Sequence, residues 1–439
     1  MTPASLIAAG LMAFCFPDEV RVDYGTVRFG AERPEPRGRT EGLRFRICDV
    51  AREGDRFRVA GFRHADNRKS VEVWTALTAD GVVFTEPLLL FRLPAPERSW
   101  LAGDLALIGG NQALLLICEV GNPPTAGHLF HVFAGNLDGS GWKKRNQEPV
   151  YRGQDAFRLV WDERNRRLVN YQTTYQKWPK RYPDNMGDSV RRVLHIRTSP
   201  DGLVWTPGGS FGVDGPHLPE DQLIQPDELD PPETEFYKLQ PVPFGDFWAG
   251  CAFRYISQPG GLPNPQGLPH GPFLDCEWWV SRNGLDWQRP FRETTDFAGT
   301  GHSLPYFLHP PIAVDNEWRF TSNGQVHAWR PDRLFYLEAK ANTEITTAPF
   351  QPTGQPLTLQ ASFTSVRLDR QTFFQQGYLM AELRTADDQP IPGFEKEKCR
   401  FLPSAETALP LAWGDQPLPA GPLRLKLYLR DLRVYSLAH

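Results

Sequence analysis

Four copies of one short pattern constrain this chain more than any other feature of it. Thr78-Ala-Asp80-Gly81-Val-Val-Phe84 is echoed by Asn136-Leu-Asp138-Gly139-Ser-Gly-Trp142, by Ser199-Pro-Asp201-Gly202-Leu-Val-Trp205 and by Ser281-Arg-Asn283-Gly284-Leu-Asp-Trp287. Asp-Gly and Asn-Gly supply the positive φ angles of a tight hairpin, and an aromatic three residues past the Gly can fold back beneath the turn. Each copy therefore joins two antiparallel strands. Strand-like runs precede every turn, at 71–76, 129–133, 193–197 and 277–280, and a further run lies upstream of each, at 57–62, 113–118, 168–171 and 247–253.

The aromatics at 84, 142, 205 and 287 are 58, 63 and 82 residues apart, room for one four-stranded sheet per repeat with loops of varying length. A fifth unit without the hairpin fits at 311–337, where 317–321 and 334–338 read as strands. The expected fold is all-β: a five-bladed β-propeller over 43–341, preceded by an N-terminal segment, 1–42, that packs on the propeller or the C-terminal domain. From 342 to 439 the pattern changes to alternating strands split by Asp-Asp, Pro-Gly and Pro-rich turns, which predicts a small β-sandwich. A sixth and seventh blade is the alternative there, weakened by the lack of any further Asp-Gly-aromatic hairpin.

Composition agrees. At 439 residues the chain is long enough for two domains, and 12% aromatics with 38 Gly and 41 Pro favour strands and turns over helices. A net charge of −4 without long Lys/Arg clusters gives no footprint for nucleic acid, and no stretch is long and apolar enough to span a bilayer. The apolar run 6–16 looks like the core of a signal peptide but lacks a preceding Lys or Arg and a clean cleavage site, so the compartment stays open between secreted, periplasmic and cytoplasmic. The six cysteines are scattered without a C-x-x-C, which points to small buried hydrophobes. No cofactor motif is present; a Ca²⁺ ion in a channel would need only scattered carboxylates and carbonyls, and no ligand set can be named. Oligomeric state is not legible.

A propeller's innermost strands line its channel, so polar residues opening each blade are the natural site. Asp155 lies 13 residues before Leu168 and Glu235 lies 13 before Trp248, which predicts equivalent places on neighbouring blades. Paired carboxylates across a funnel are what glycoside cleavage needs, one as acid and the other as base or nucleophile. Asp104, before the second blade's inner strand, is a third catalytic candidate. The plainer reading of all three is a turn cap or an Arg partner. Arg44 stands at the matching offset in the first blade, with Asp49 further along, and an Arg there could hold a carboxylate or sulfate bidentately. His302 and Trp161 are candidate sugar contacts, as are Trp278 and Trp279 beside Glu277, although aromatics at strand spacing are more often core. Gly208-Gly-Ser210-Phe-Gly212 fits G-x-S-x-G but follows a hairpin, not a strand leading into a helix, and reads as a turn.

The hairpins, with Asp155-x-x-x-x-x-Trp161-Asp162 and Glu235-Phe-Tyr237, resemble the five-bladed glycoside-hydrolase propellers grouped around families 32, 43 and 68, and within them the family-32-like proteins of planctomycete-type bacteria. Pro390-Ile-Pro-Gly-Phe394 and Leu429-Arg-Asp-Leu-Arg-Val-Tyr435 are similar to the C-terminal β-domain of that group. The resemblance implies a hydrolase acting on furanosides or related glycans, with a carbohydrate as partner. The Trp-Met-Asn-Asp-Pro-Asn-Gly, Arg-Asp-Pro and Glu-Cys signatures of fructan hydrolases are missing, which argues against invertase-like activity. A non-catalytic glycan-binding propeller is the alternative. A phosphorolytic enzyme is a third reading and would use Arg44, Arg197 and Arg282.

Overall fold

The computed structural model of the chain describes residues 11–65, 69–109, 111–123, 126–183, 187–209, 211–213, 216–244, 247–257, 272–292, 309–322, 324–363, 367–368, 373–374, 377–401 and 408–438. Among these the chain is all-β, with three-residue 3-10 turns at Pro17–Glu19, Glu220–Gln222 and Pro331–Arg333. It divides into two compact units, one of Glu35–Asp286 and Thr295–Ala328, the other of Met1–Pro34, Trp287–Thr294 and Trp329–His439.

The larger unit holds successive antiparallel sheets in chain order. Sheet A is Arg46–Glu53, Arg56–Ala65, Ser70–Thr78 and Thr85–Arg92. Sheet B is Trp100–Ile108, Gln112–Glu119 and His128–Asn136, with Lys143–Lys144 and Tyr151–Gly153 both on the last of these. Sheet C is Phe157–Asp162, Arg167–Lys177 and Val190–Ser199, and sheet D is Thr234–Phe244, Phe247–Ser257 and Pro272–Ser281. Sheet E is Ile312–Val314, Glu317–Ser322 and Gln325–Trp329, and its fourth strand is Glu35–Arg39 from the start of the chain. The 334–338 run expected in this fifth unit lies elsewhere: Phe335–Ala339 pairs with Arg28–Ala31 and Leu432–Ala438 in the other unit.

The repeated hairpins are built by their own side chains. The Thr78, Ser199 and Ser281 hydroxyls accept the N–H of Gly81, Gly202 and Gly284 at 2.8, 2.8 and 2.9 Å. Asp80, Asp201 and Asn283 each accept two backbone N–H groups just beyond the Gly. These are side-chain mimics of a backbone turn. Gly202, at φ +80°, is required twice over, because a Cβ there would also meet Leu114 of sheet B at 2.6 Å.

Each hairpin also meets the sheet before it. Trp142 of sheet B stacks on Phe91 of sheet A with ring centroids 5.7 Å apart, and the Tyr171 hydroxyl of sheet C donates to Gly284 O of sheet D at 2.7 Å. Trp318 of sheet E stacks on Phe244 of sheet D at 4.5 Å, and Arg319 of sheet E donates to Asp80 O in sheet A's hairpin at 2.8 Å. With the Gly202–Leu114 approach between C and B, the contacts run from A to E and back to A. Apolar residues fill the seams: Phe62, Val73, Leu105 and Leu115 between A and B, Leu116, Phe130, Leu159 and Leu168 between B and C.

The smaller unit holds two larger antiparallel sheets around one core and a two-stranded pair, Arg367–Leu368 with Phe373–Phe374. One runs Arg400–Phe401, Ala408–Ala412, Thr358–Phe363, Leu432–Ala438, Phe335–Ala339 and Arg28–Ala31, with Leu11–Ala13 beside Leu432–Ala438. The other runs Val20–Tyr24, Thr343–Thr347, Leu423–Arg430 and Tyr378–Thr385. Leu423, Leu425, Leu427 and Leu429 are buried while the residues between them are half-buried, the period of two that a one-sided strand demands. They share the core with Leu337, Leu359, Leu383 and Val434.

Candidate functional site at the first strands of the sheets

The first strands of sheets A, B and C meet through side chains, although each pairs only within its own sheet. Arg46 Nη2 donates to Gly103 O at 2.6 Å, and Leu107 N donates to Asp49 Oδ2 at 2.7 Å. Three residues forward on one strand match four forward on the other, so the two run in the same direction. At their centre Asp104 takes Arg158 Nη1 on both oxygens at 2.9 Å, plus the N–H of Leu159 at 2.9 Å and of Leu105 at 3.0 Å. Arg158 Nη2 donates to Cys48 O at 2.9 Å. Both side chains of this pair are 3% exposed. Asp104 therefore has no lone pair left for a substrate and serves as the clasp of three sheets.

The ionisable groups around the clasp feel its burial. Burial raises the Asp49 carboxyl to about 6, against the Leu107 and Val50 N–H groups and Arg158, which favour the anion. Burial lowers the Lys238 amine to about 8, assisted by Arg46 and Arg158 and opposed by Asp104. For Asp49 the folded form keeps its proton at pH values where the unfolded chain, near 3.9, has lost it. Stability it contributes is thus fully present below about pH 4 and lost as pH rises through about 6. Buried histidines such as His309, lowered to about 4, act with the opposite sign over the same range. The difference in unfolding free energy between the wild type and Asp49→Asn, measured by urea titration from pH 4 to 7, is expected to fall as pH rises. A difference that stays constant across that range would contradict the assignment.

Asp155 precedes the first strand of sheet C and is partly exposed, with no hydrogen bond or ion pair among the described residues. Its charge acts on its surroundings nonetheless. Burial depresses His128 while Asp155 draws it the other way, and burial raises Tyr175, with Asp155 and Glu235 both contributing to the rise. His128 Nδ1 accepts the Gly121 N–H at 3.2 Å, which puts the neutral ring's proton on Nε2. The Tyr175 hydroxyl donates to Gln154 Oε1 at 3.3 Å.

Glu235 has a different environment. It is 1% exposed, ion-paired to Lys180 Nζ at 2.6 Å and Arg192 Nη1 at 2.8 Å, and it accepts the Arg192 N–H at 2.8 Å. Equal spacing in the chain has not become equal height in the fold. Trp161 faces Leu168 across a four-residue turn, whereas Pro243 faces Trp248 across a shorter one, and a bulge follows between Phe236 and Lys238. Counted along the second strands, Gln154 is level with Glu235, and Asp155 lies one step nearer the hairpin. A single step turns a side chain to the other face.

The remaining candidates disperse. Arg44 is exposed at the mouth of a 490 Å³ cavity. Trp161 is half-buried and donates Nε1–H to Glu163. His302 lies outside the described residues. Trp278 and Trp279 are buried in sheet D, and Glu277 pairs with Arg254 at 2.9 Å. Arg197 is fully buried and spent on Pro207 O, Gly209 O and His195, while Arg282 is exposed beside the sheet D hairpin. The cysteines form no disulfide, and five of the six are buried. No group of three or more His, Cys, Asp or Glu suited to a metal ion occurs among the described residues. Arg46, Arg158, Lys238 and His128 escaped the sequence reading. The available signal was a charge inside an apolar first strand, as in Phe157-Arg-Leu-Val160.

No protein-family model matches the chain, and no curated protein does. Its neighbours among solved structures include several glycoside hydrolases and a phosphorylase. A β-1,2-mannobiose phosphorylase from Listeria innocua is 8% identical over 74% of this chain and 98% of that chain, with a TM-score of 0.37. A thermostable family-43 glycoside hydrolase is 10% identical over 69% and 89%, at 0.35. An exo-inulinase from Aspergillus awamori is 10% identical over 92% and 98%, at 0.32. Likenesses of this size carry no argument about the activity or the site.

Proposed function

We propose that the chain is a glycoside hydrolase built on a five-bladed β-propeller with a C-terminal β-sandwich, acting on a furanoside or related glycan at the channel mouth. Sheets A to E are the blades, and the contact of E with A closes the ring. The smaller unit's two larger sheets form the sandwich, a structural or glycan-binding appendage. Asp155 is the observation that carries the reading: a carboxylate opening an inner strand, partly exposed, unspent among the described residues, and beside a neutral histidine that can donate from Nε2. In this scheme Asp155 exchanges the proton with the glycosidic oxygen or the attacking water. Glu235 is the second carboxylate and acts through the Arg192 and Lys180 side chains it holds.

A second reading, a non-catalytic glycan-binding propeller, is favoured by one observation. Asp104 and Glu235 are both engaged by cations, whereas glycoside cleavage ordinarily employs two available carboxyl groups. Purified protein incubated with a panel of furanosides and pyranosides, followed by reducing-end release, separates the two. Release from at least one glycoside is expected. Retention of glycans in affinity electrophoresis without release from any of them would establish the binding protein instead.

A further inference from the structure

The 490 Å³ cavity between the first strands of sheets A and B is lined by Arg44, Arg46 and Arg63 among apolar and neutral residues that include Leu43, Phe45 and Leu101. None of the lining residues is acidic. Arg44 is exposed and has no partner among the described residues. Arg46 is held in place, its guanidinium 4.7 Å over the Phe62 ring and its Nη2 on Gly103 O, while Nη1 carries no hydrogen bond among the described residues. Arg63 uses Nε on Glu72 at 2.6 Å, with its head 5.2 Å over the Trp74 ring, so its two terminal nitrogens carry no hydrogen bond among the described residues.

The carboxylates behind the lining neutralise these cations only in part. Glu72 is shared between Arg63 and Arg92, and Asp104, 3.6 Å from Arg46, is already held on both oxygens by Arg158 Nη1. Four arginines thus share two carboxylates, and Arg44 stands beside them with no counter-charge among the described residues. The excess is felt nearby, since Arg46 and Arg158 both help to depress Lys238. Guanidinium forks fixed by stacking, with open N–H groups over an apolar floor of Leu43, Phe45 and Leu101, suit a carboxylate or tetrahedral oxyanion carried on a small ring. The volume falls within the range of small-molecule sites.

We infer that this cavity is an anion subsite, gripped by Arg44, Arg46 and Arg63, for a uronate carboxylate or sulfate ester on the glycan. The inference rests on the proposed function for its glycan, and on the cavity alone for its anion. Two sources share this chemistry, a charged group on the sugar and free inorganic phosphate, and the experiment separates them. Sodium D-glucuronate, D-glucose, sodium sulfate and sodium phosphate are titrated into the full chain by calorimetry at constant ionic strength. Glucuronate and sulfate are expected to bind and glucose not to, with Arg44→Gln and Arg63→Gln each weakening binding about tenfold and Arg44→Lys weakening it less. Binding of phosphate alone, joined to phosphate-dependent turnover, would keep the cavity as an anion site and overturn its role with charged sugars. Equal binding of glucose and glucuronate, or affinity unchanged in both Gln variants, would overturn the subsite whatever the turnover panel gives. Anion binding that persists without turnover of any glycoside would instead overturn the hydrolase and leave the subsite standing.

Discussion

Asp155→Asn is expected to lower turnover of the cleaved glycoside by about 10²–10⁴-fold, the usual worth of a positioned proton-transfer group, while leaving the folded state intact. The second half follows from geometry. Asp155 is partly exposed and engages no donor among the described residues, so removing its charge orphans nothing, and the change in stability belongs with ordinary surface substitutions, about 0.5 kcal/mol or less. Glu235→Gln offers no such separation. It would leave Lys180 and Arg192, with side chains 2% and 6% exposed, without their counter-charge, and would lower stability and activity together. The kinetic split carries further information. A loss confined to kcat places Asp155 at the bond being broken, whereas a loss confined to KM makes it a binding residue. Wild-type kcat/KM in a correctly folded Asp155→Asn protein would end its candidacy.

The same residues show how far a sequence can be read. The hairpins were legible because their chemistry is local: Ser or Thr, Asp or Asn, and Gly close the turn with their own atoms, wherever the sheet goes next. Strand alternation in 423–429 was legible for a similar reason. The origin of sheet E's fourth strand was not, because Glu35–Arg39 joins Gln325–Trp329 from the far end of the chain, and no local preference records such a partner. Nor was the height of the carboxylates. A fixed offset of 13 residues adds turn lengths and bulges that differ between sheets C and D, and a one-residue discrepancy decides which face a side chain takes. Arg158 and Asp104 lie 54 positions apart, and each reads as an ordinary strand charge until the two strands are brought together.

That pair sets the largest stability effect expected in the larger unit. Asp104→Ala and Arg158→Met should each cost about 3–5 kcal/mol, because each strands the other's charge where water does not reach. Asp104→Ala also leaves the Leu159 N–H without its acceptor, and Arg158→Met leaves Cys48 O without its donor. The double variant Asp104→Leu/Arg158→Met removes both charges, so it should recover much of the loss if cost arises from the unpaired ion and not from the cavity. Urea midpoints read this directly, with an unchanged m-value showing that the unfolding transition itself is the same. Single variants within about 0.5 kcal/mol of wild type would show that the clasp does not hold the sheets. Asp104 was also a candidate for the chemistry, and the two roles separate by temperature. If it is a clasp, Asp104→Asn assayed well below its own melting temperature retains turnover, and activity disappears only as the protein unfolds. Turnover lost while the variant is still folded would return Asp104 to the reaction. Its four hydrogen bonds to protein donors argue for the clasp, since a carboxylate must release at least one of them before it can take a proton from water or from a sugar.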